Sequence, residues 1–270
     1  MSASPHYLVP PQRWPLSVLL IGCGGNGAQI LTGLASLHLA LEALGERGLD
    51  VTTVDPDIVS TANLGRQPFY PCDVGRHKAL VLTERINMAY GIAWQASPTR
   101  VGATSALDCD LIISCVDTAA ARRAIGAALS RRRHQTPTYW LDLGNRADDG
   151  QIVLGQVANS YQALKQPRLP TVLERFPELA DETRAEDDTP SCSLAEALER
   201  QSLFVNRTIA AHALGMLYQL VARGSIGYAG MFINLANGLA APMPLPVPPP
   251  RKPRARPKAK PKTRARAPRR

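Results

Sequence analysis

Apolar and polar positions fall into short blocks whose period switches along the chain. Residues 16–21 (LSVLLI) form a continuous apolar run of strand length, and an Ala/Leu-rich helical segment follows over 26–45. Residues 50–55 (DVTTVD) are β-branched and end in an acid, so the first unit reads strand, glycine turn, helix, strand. An irregular stretch with three prolines spans 56–75, a helix 76–90 and a short strand 92–97. Residues 110–116 (DLIISCV) read as a buried strand and 118–134 as an Ala/Arg helix. Two more strands are expected at 138–143 and 151–157. The alternation predicts an α/β, Rossmann-like, mostly parallel sheet with helices on both faces.

The pattern breaks over 177–191 (PELADETRAEDDTPS), which is acidic, poor in apolar groups and bounded by prolines; it reads as a crossover loop. A long helix is expected over 193–222 and a last strand over 228–235. From Pro242 onward the chain holds ten prolines and eleven Lys or Arg among 29 residues, without an acid or an aromatic. Such a segment stays extended and solvated, so the expected organisation is one domain over 1–241 and a disordered basic tail over 242–270.

That tail changes the meaning of the net charge. The whole chain carries +9, but the eleven tail cations leave −2 for residues 1–241. The folded part therefore needs no basic binding face. The tail suits either a solubility spacer or weak, salt-sensitive contact with nucleic acid or an acidic partner. The five cysteines include no C-x-x-C pair, which argues against a disulfide framework and against structural zinc. No secretory leader pattern opens the chain, and its longest apolar stretch, 208–221, is short for a bilayer and contains His212. A cytoplasmic protein without a membrane contact is the expectation.

Chemistry concentrates at the strand ends. Gly22, Gly24, Gly25 and Gly27 make a G-x-G-G-x-G turn between a strand and a helix, where phosphate can approach backbone N–H groups. Asp55 ends the next strand, placed to accept ribose hydroxyls. The 28 residues from Gly27 to Asp55 exceed the roughly 20 of a dinucleotide fingerprint, which weakens an oxidoreductase reading. Next come Asp55-Pro-Asp57, then Asn63-Leu-Gly-Arg66-Gln67, then Lys78, and finally Asp117 after a further strand. A nucleoside triphosphate needs cations for its phosphates, a carboxylate for Mg²⁺ and a ribose acceptor. Arg66 and Lys78, Asp117, and Asp55 supply these in turn.

Together these motifs, from about Leu16 to Ala241, resemble the ThiF/MoeB-type, ubiquitin-activating-enzyme-like adenylyltransferases. The stretches PSCSLAEALERQSLFVNRTIAAHALGMLYQL and GMFINLANG look most like the PRTRC-system ThiF subfamily. By that resemblance Gly22, Gly24, Gly25 and Gly27 form the nucleotide loop, and Asp55, with Asp57 beside it, the ribose end. Asn63, Arg66 and Gln67 flank the phosphates, Lys78 binds them and Asp117 holds Mg²⁺. The implied reaction is MgATP-dependent adenylation of the C-terminal carboxylate of a ubiquitin-like protein by a homodimeric enzyme. Relatives with structural zinc carry C-x-x-C pairs that this chain lacks, so no zinc is expected. Arg13 does not match the arginine that relatives contribute from a partner subunit.

Cys192 has two open readings. At the expected start of the long helix its thiol feels a field that favours thiolate, and many relatives carry a thioester-forming cysteine in a comparable region. Asp187 and Asp188 nearby oppose thiolate formation, which suits an inert cysteine. Arg122 could pair with an acid or bind the partner's tail. Asp142 and Asn145, expected just after a strand, could line the cleft or shape a turn. Two rival functions share the glycine turn: a dinucleotide-dependent oxidoreductase and a noncatalytic dimeric scaffold.

Overall fold

A computed structural model describes residues 4–10, 14–131, 138–157, 166–181 and 202–247. The acidic run 182–191, Cys192, Arg13 and the basic stretch 248–270 lie outside the described residues. In chain order the elements are β1 (His6–Tyr7), β2 (Leu16–Ile21), α1 (Gly25–Ala43), β3 (Leu49–Val54), α2 (Lys78–Tyr90), β4 (Gln95–Ser97), β5 (Leu111–Ser114) and α3 (Ala119–Ser130). There follow β6 (Tyr139–Asn145), β7 (Asp149–Gln156), α4 (Val172–Arg175), α5 (Val205–Ala222), β8 (Ser225–Ile226), β9 (Gly230–Asn234) and β10 (Leu239–Met243). Single 3₁₀ turns sit at Thr61–Asn63, Pro71–Asp73 and Pro177–Leu179.

Eight strands form one sheet in the order β10-β9-β7-β6-β5-β2-β3-β4. The pairings from β4 through β6 are all parallel, and the β6–β7, β7–β9 and β9–β10 pairings are antiparallel. The expected Rossmann-like, mostly parallel sheet is therefore present, with an antiparallel extension on one side. The extension exists because only three residues join β6 to β7, too few for the crossover a parallel pair requires.

Strand alternation divides the core between the two faces. Leu16, Val18 and Leu20 of β2, Ile113 of β5 and Leu141 of β6 share one apolar layer with α1, α2 and α5. Ile21, Ile112 and Trp140, from the intervening positions, face the other layer with Ile125 and Leu129 of α3. Burying such a side chain stabilises the fold by about 1.5–3 kcal/mol, so β2, β5 and β6 fix the frame on which the strand ends are held. Gly33 lets α1 and α5 approach closely, since a Cβ there would collide with the Leu214 side chain.

Two expectations change. The helix expected over 193–222 has its described part at Val205–Ala222, and 202–204 are not helical, so α5 starts well after Cys192. Residues expected at the start of the tail belong to the sheet and core instead: Pro242 pairs with Met231 inside β10, and Met243 and Leu245 are buried. Proline is tolerated there because β10 is an edge strand, where only one side of the backbone is bonded. A small ladder missed by the sequence reading, β1 against β8, ties the N-terminal segment beside α5.

Candidate active site

From β2 the chain runs outward to β3 and β4, then returns to β5 on the other side of β2. Helices α1 and α3 leave these two neighbouring strands toward opposite faces, so their first turns part and open a cleft at the strand ends. The cleft has a volume of about 1260 Å³. All the described site residues expected from the sequence line it except Gly27, which packs beneath its wall.

The glycines divide their work. Gly22 adopts φ +89°, and a Cβ there would lie 2.6 Å from the Cys115 carbonyl oxygen. A Cβ on Gly27 would collide with the Gly22 carbonyl. These two let β2, β5 and the start of α1 pack. Gly24, by contrast, faces open space: the nearest atom to its Cβ position is Gln67 Nε2 at 4.0 Å. Gly24 and Gly25 expose backbone at the N-terminus of α1, where the helix field favours an anion.

Asp55 follows β3 directly and is 4% exposed. Its Oδ2 accepts from Cys23 N–H at 2.5 Å and its Oδ1 from Asp57 N–H at 2.7 Å, which ties the glycine turn to the β3 end. Burial pushes the Asp55 carboxyl above the usual carboxylate range, against the opposing pull of those two N–H groups and of nearby Lys78. Asp57 is half-exposed, and its Oδ2 accepts from Lys78 Nζ at 2.9 Å. Lys78 is the first residue of α2 and mostly buried, so its ammonium is aimed at the cleft rather than at bulk water.

The irregular stretch between β3 and α2 is held by side chains. Asn63 Oδ1 accepts from Ser60 N–H at 2.9 Å, closing the turn that precedes Arg66 and Gln67. Gly65, between Asn63 and Arg66, has φ +77°, a conformation that favours glycine, and Asn63, Arg66 and Gln67 all line the cleft. Buried Asp73 accepts from Tyr70 N–H at 2.8 Å and from Arg85 Nη2 at 2.7 Å. Burial would raise the Asp73 carboxyl, but these two donors outweigh it and hold it below its ordinary value. Half-burial lowers the Arg66 guanidinium.

On the opposite wall β5 ends at Ser114, and Cys115, Val116 and Asp117 lead into α3. Thr118 caps that helix, its hydroxyl accepting from Ala121 N–H at 3.1 Å. Asp117 is exposed on the rim and has no ion-pair partner among the described residues. Mg²⁺ is commonly held by one or two carboxylates together with substrate phosphates and water, and a free carboxylate opposite Lys78 and Arg66 fits that donor set. Among the described residues no group of three or more His, Cys, Asp or Glu side chains could hold a metal ion by itself.

The structure resolves Arg122: it pairs with an acid. Its Nε donates to both Asp142 oxygens at 3.0 and 3.1 Å, and Nη2 donates to the Leu143 carbonyl at 3.1 Å. Ser114 donates to Asp142 and accepts from Trp140 Nε1 at 2.7 Å, completing a buried network under the cleft. β6 runs to Asn145, past the expected end at 143, so both Asp142 and Asn145 lie within it; Asp142 is fully buried, whereas Asn145 reaches the cleft. The acid inside the apolar run TYWLDL was the available signal, since a buried carboxylate requires a cation or donors.

Beyond β6 the cleft continues into a second arm lined by Gly150, Gln151, Phe232 and Leu239. Phe176 meets Phe232 edge-on, with ring centroids 6.1 Å apart. The sequence reading missed this arm, Asn206 of α5, which lies against Gly25, and Asn26, the polar residue inside the glycine motif.

Of the described cysteines, Cys23 and Cys109 are buried and Cys115 is half-buried. Burial pushes the Cys23 and Cys115 thiols up, with Asp55 and Asp142 respectively adding to it. Neither is a ready nucleophile. No helix among the described residues is long and apolar enough to cross a membrane.

The ThiF family model matches residues 15–239. Mouse ubiquitin-like modifier-activating enzyme 6 is 27% identical over 164 residues, which cover 56% of this chain and 15% of that protein. Among solved structures, E. coli MccB with ATP superimposes with a TM-score of 0.57 at 15% identity, covering 86% of this chain and 64% of MccB. MccB with AMPCPP and MccA gives 0.58 at 16% identity, with 87% and 65% covered. The chain thus spans a small part of the mouse protein and less than two thirds of MccB. At this identity the MccB likeness shows the fold alone.

Proposed function

The chain belongs to the ThiF family, and from that premise we propose that it uses MgATP to adenylate the terminal carboxylate of a protein or peptide substrate. One observation carries the reading: the glycine turn, the Asp55 and Asp57 carboxylates, Arg66, Lys78 and Asp117 line a single cleft at the switch point of the sheet. A dinucleotide oxidoreductase would use the glycine turn and Asp55 but leave Arg66, Lys78 and Asp117 without a joint task.

The reaction follows from charge. A carboxylate oxygen of the substrate attacks the α-phosphorus of ATP, the bond from that phosphorus to the β-phosphate bridging oxygen breaks, and pyrophosphate leaves. An acyl-adenylate remains. The nucleophile is already an anion, so no side chain has to remove a proton. Gly24 and Gly25 let phosphate approach the start of α1. Lys78 and Arg66 stabilise charge gathering on the leaving phosphates, in a partly buried setting where such contacts count for more than in water. Asp117 would hold Mg²⁺, which when bound polarises phosphoryl oxygens and neutralises their charge. Asp55 would accept from the ribose.

The finer reading follows the resemblance: the substrate is a ubiquitin-like protein of the PRTRC type, presented to a homodimer. The mouse relative's name and the crystallised pairing of MccB with MccA and a nucleotide analogue both suit a protein or peptide substrate. Attack of the Cys192 thiolate on the acyl-adenylate, which breaks the acyl–phosphate bond, releases AMP and forms a thioester, and salt-sensitive nucleic-acid contact through 248–270, extend the same proposal. Cys192→Ser should spare adenylation and abolish a thioester; a thioester that persists would move this role to another cysteine.

The test is ATP–pyrophosphate exchange with Mg²⁺ and a ubiquitin-like protein from the same gene cluster. Exchange that requires the partner's free C-terminus, and that is lost in Asp117→Ala, supports adenylation. ATP binding without exchange would favour a scaffold, and absence of ATP binding would reject the site.

A further inference from the structure

Asn26 is the second residue of α1, is 6% exposed and lines the cleft. Its Nδ2 donates to Asn145 Oδ1 at 2.8 Å. Its own Oδ1 is buried and has no hydrogen-bond partner. An orphaned buried acceptor costs about 1–3 kcal/mol. A tie between α1 and β6 alone would not explain retaining it, because an apolar contact would make the tie without that cost.

The position narrows what could complete the amide. Asn145 is the last residue of β6, where the nucleotide end of the cleft meets its second arm. A phosphate offers only acceptor oxygens and cannot satisfy another acceptor. Ribose hydroxyls are donors, but Asp55 stands at the far side, after β3. The adenine amine is carried on that same ribose, so a peptide N–H of a substrate entering past β6 is the donor this junction favours.

Building on the adenylation reading, we infer that Asn26 is a substrate-binding residue. Its carboxamide oxygen accepts a hydrogen bond from the last peptide N–H of the carboxylate substrate. Asn145 is a positioning residue that fixes the orientation of that amide. The contact registers the terminal carboxylate against the α-phosphate and selects a peptide over a simple carboxylic acid.

The test measures binding of three adenylate mimics to the full chain by calorimetry. They are sulfamoyladenosine, its glycylglycyl derivative (an acyl group with one peptide N–H), and an analogue with that N–H replaced by an ester oxygen. Wild type should bind the ester about tenfold more weakly than the amide, as expected for one lost hydrogen bond that leaves an acceptor unpaired. Asn26→Leu should bind the amide about tenfold more weakly than wild type does, bind amide and ester alike, and keep its affinity for sulfamoyladenosine. Equal binding of amide and ester by wild type, which requires no mutation, would overturn the inference while leaving the nucleotide site standing. So would an Asn26→Leu protein that loses all three probes in parallel. Failure of wild type to bind sulfamoyladenosine would instead reject the nucleotide reading, and this inference with it.

Discussion

Lys78 Nζ lies 2.9 Å from the Asp57 carboxylate, and the backbone repeats the link, Lys78 N–H donating to the Asp57 carbonyl, also at 2.9 Å. The side-chain pair keeps a mostly buried ammonium neutralised and aimed at the cleft. Because Asp57 is half-exposed, the pair adds little to stability, within the about 0–1 kcal/mol of a surface bridge. Lys78→Ala should therefore lower pyrophosphate exchange about 10²-fold while leaving the melting temperature almost unchanged. Exchange rates and thermal melts on the same preparation check this; a large melting loss with modest kinetic loss would make Lys78 structural.

The glycine motif should separate into two phenotypes. Gly24→Ala has room for its methyl group, so it should fold normally and weaken ATP binding by crowding the phosphate approach. Gly27→Ala drives a methyl group into the Gly22 carbonyl and should destabilise the whole domain. Urea titration paired with nucleotide binding distinguishes the two.

Arg122 and Asp142 should behave as a buried pair. Removing one partner strands the other's charge, so Arg122→Met or Asp142→Leu alone should cost about 3–5 kcal/mol in chemical denaturation. The double variant should recover part of that loss. Additive losses would show that the two residues act independently.

His6 carries an acid-side signature. It is buried beside Tyr139, whose hydroxyl lies 3.1 Å from His6 Nε2, and burial lowers the imidazole from 6.5 to about 4. The unfolded chain then binds a proton that the folded chain excludes. This contribution to stability is complete above pH 6.5 and declines as pH falls from there toward about 4. His6→Asn should flatten the stability profile within that window, measured by denaturant midpoints at several pH values.

Much of this arrangement was legible because its signals are local. The apolar run LSVLLI, the glycine cluster after it and Asp55 at the end of DVTTVD place three elements and one wall of the cleft without tertiary information. Arg66, Lys78 and Asp117 were legible through their positions relative to strand ends. The rest depends on distance in space. Asn26 and Asn145 are 119 positions apart, and nothing in either segment announces their contact. Arg122 could not be assigned until β5 and β6 were known to be neighbours, which brings Asp142 under it. The antiparallel extension was hidden for a related reason: YAGMFINL reads as a strand but does not name its partner. In 193–222 the apolar residues run continuously enough to suggest one helix, yet among the described residues 202–204 are not helical and the helix begins at Val205.

Pro242 sits within β10, paired with Met231 at the outer margin of the sheet. Its ring nitrogen has no hydrogen to offer, so that margin lacks a donor where an incoming strand would need one. Two copies of this chain cannot zip into one continuous sheet across β10 without leaving a gap in the ladder. Self-association, wherever it occurs, is steered away from open-ended strand pairing at this edge.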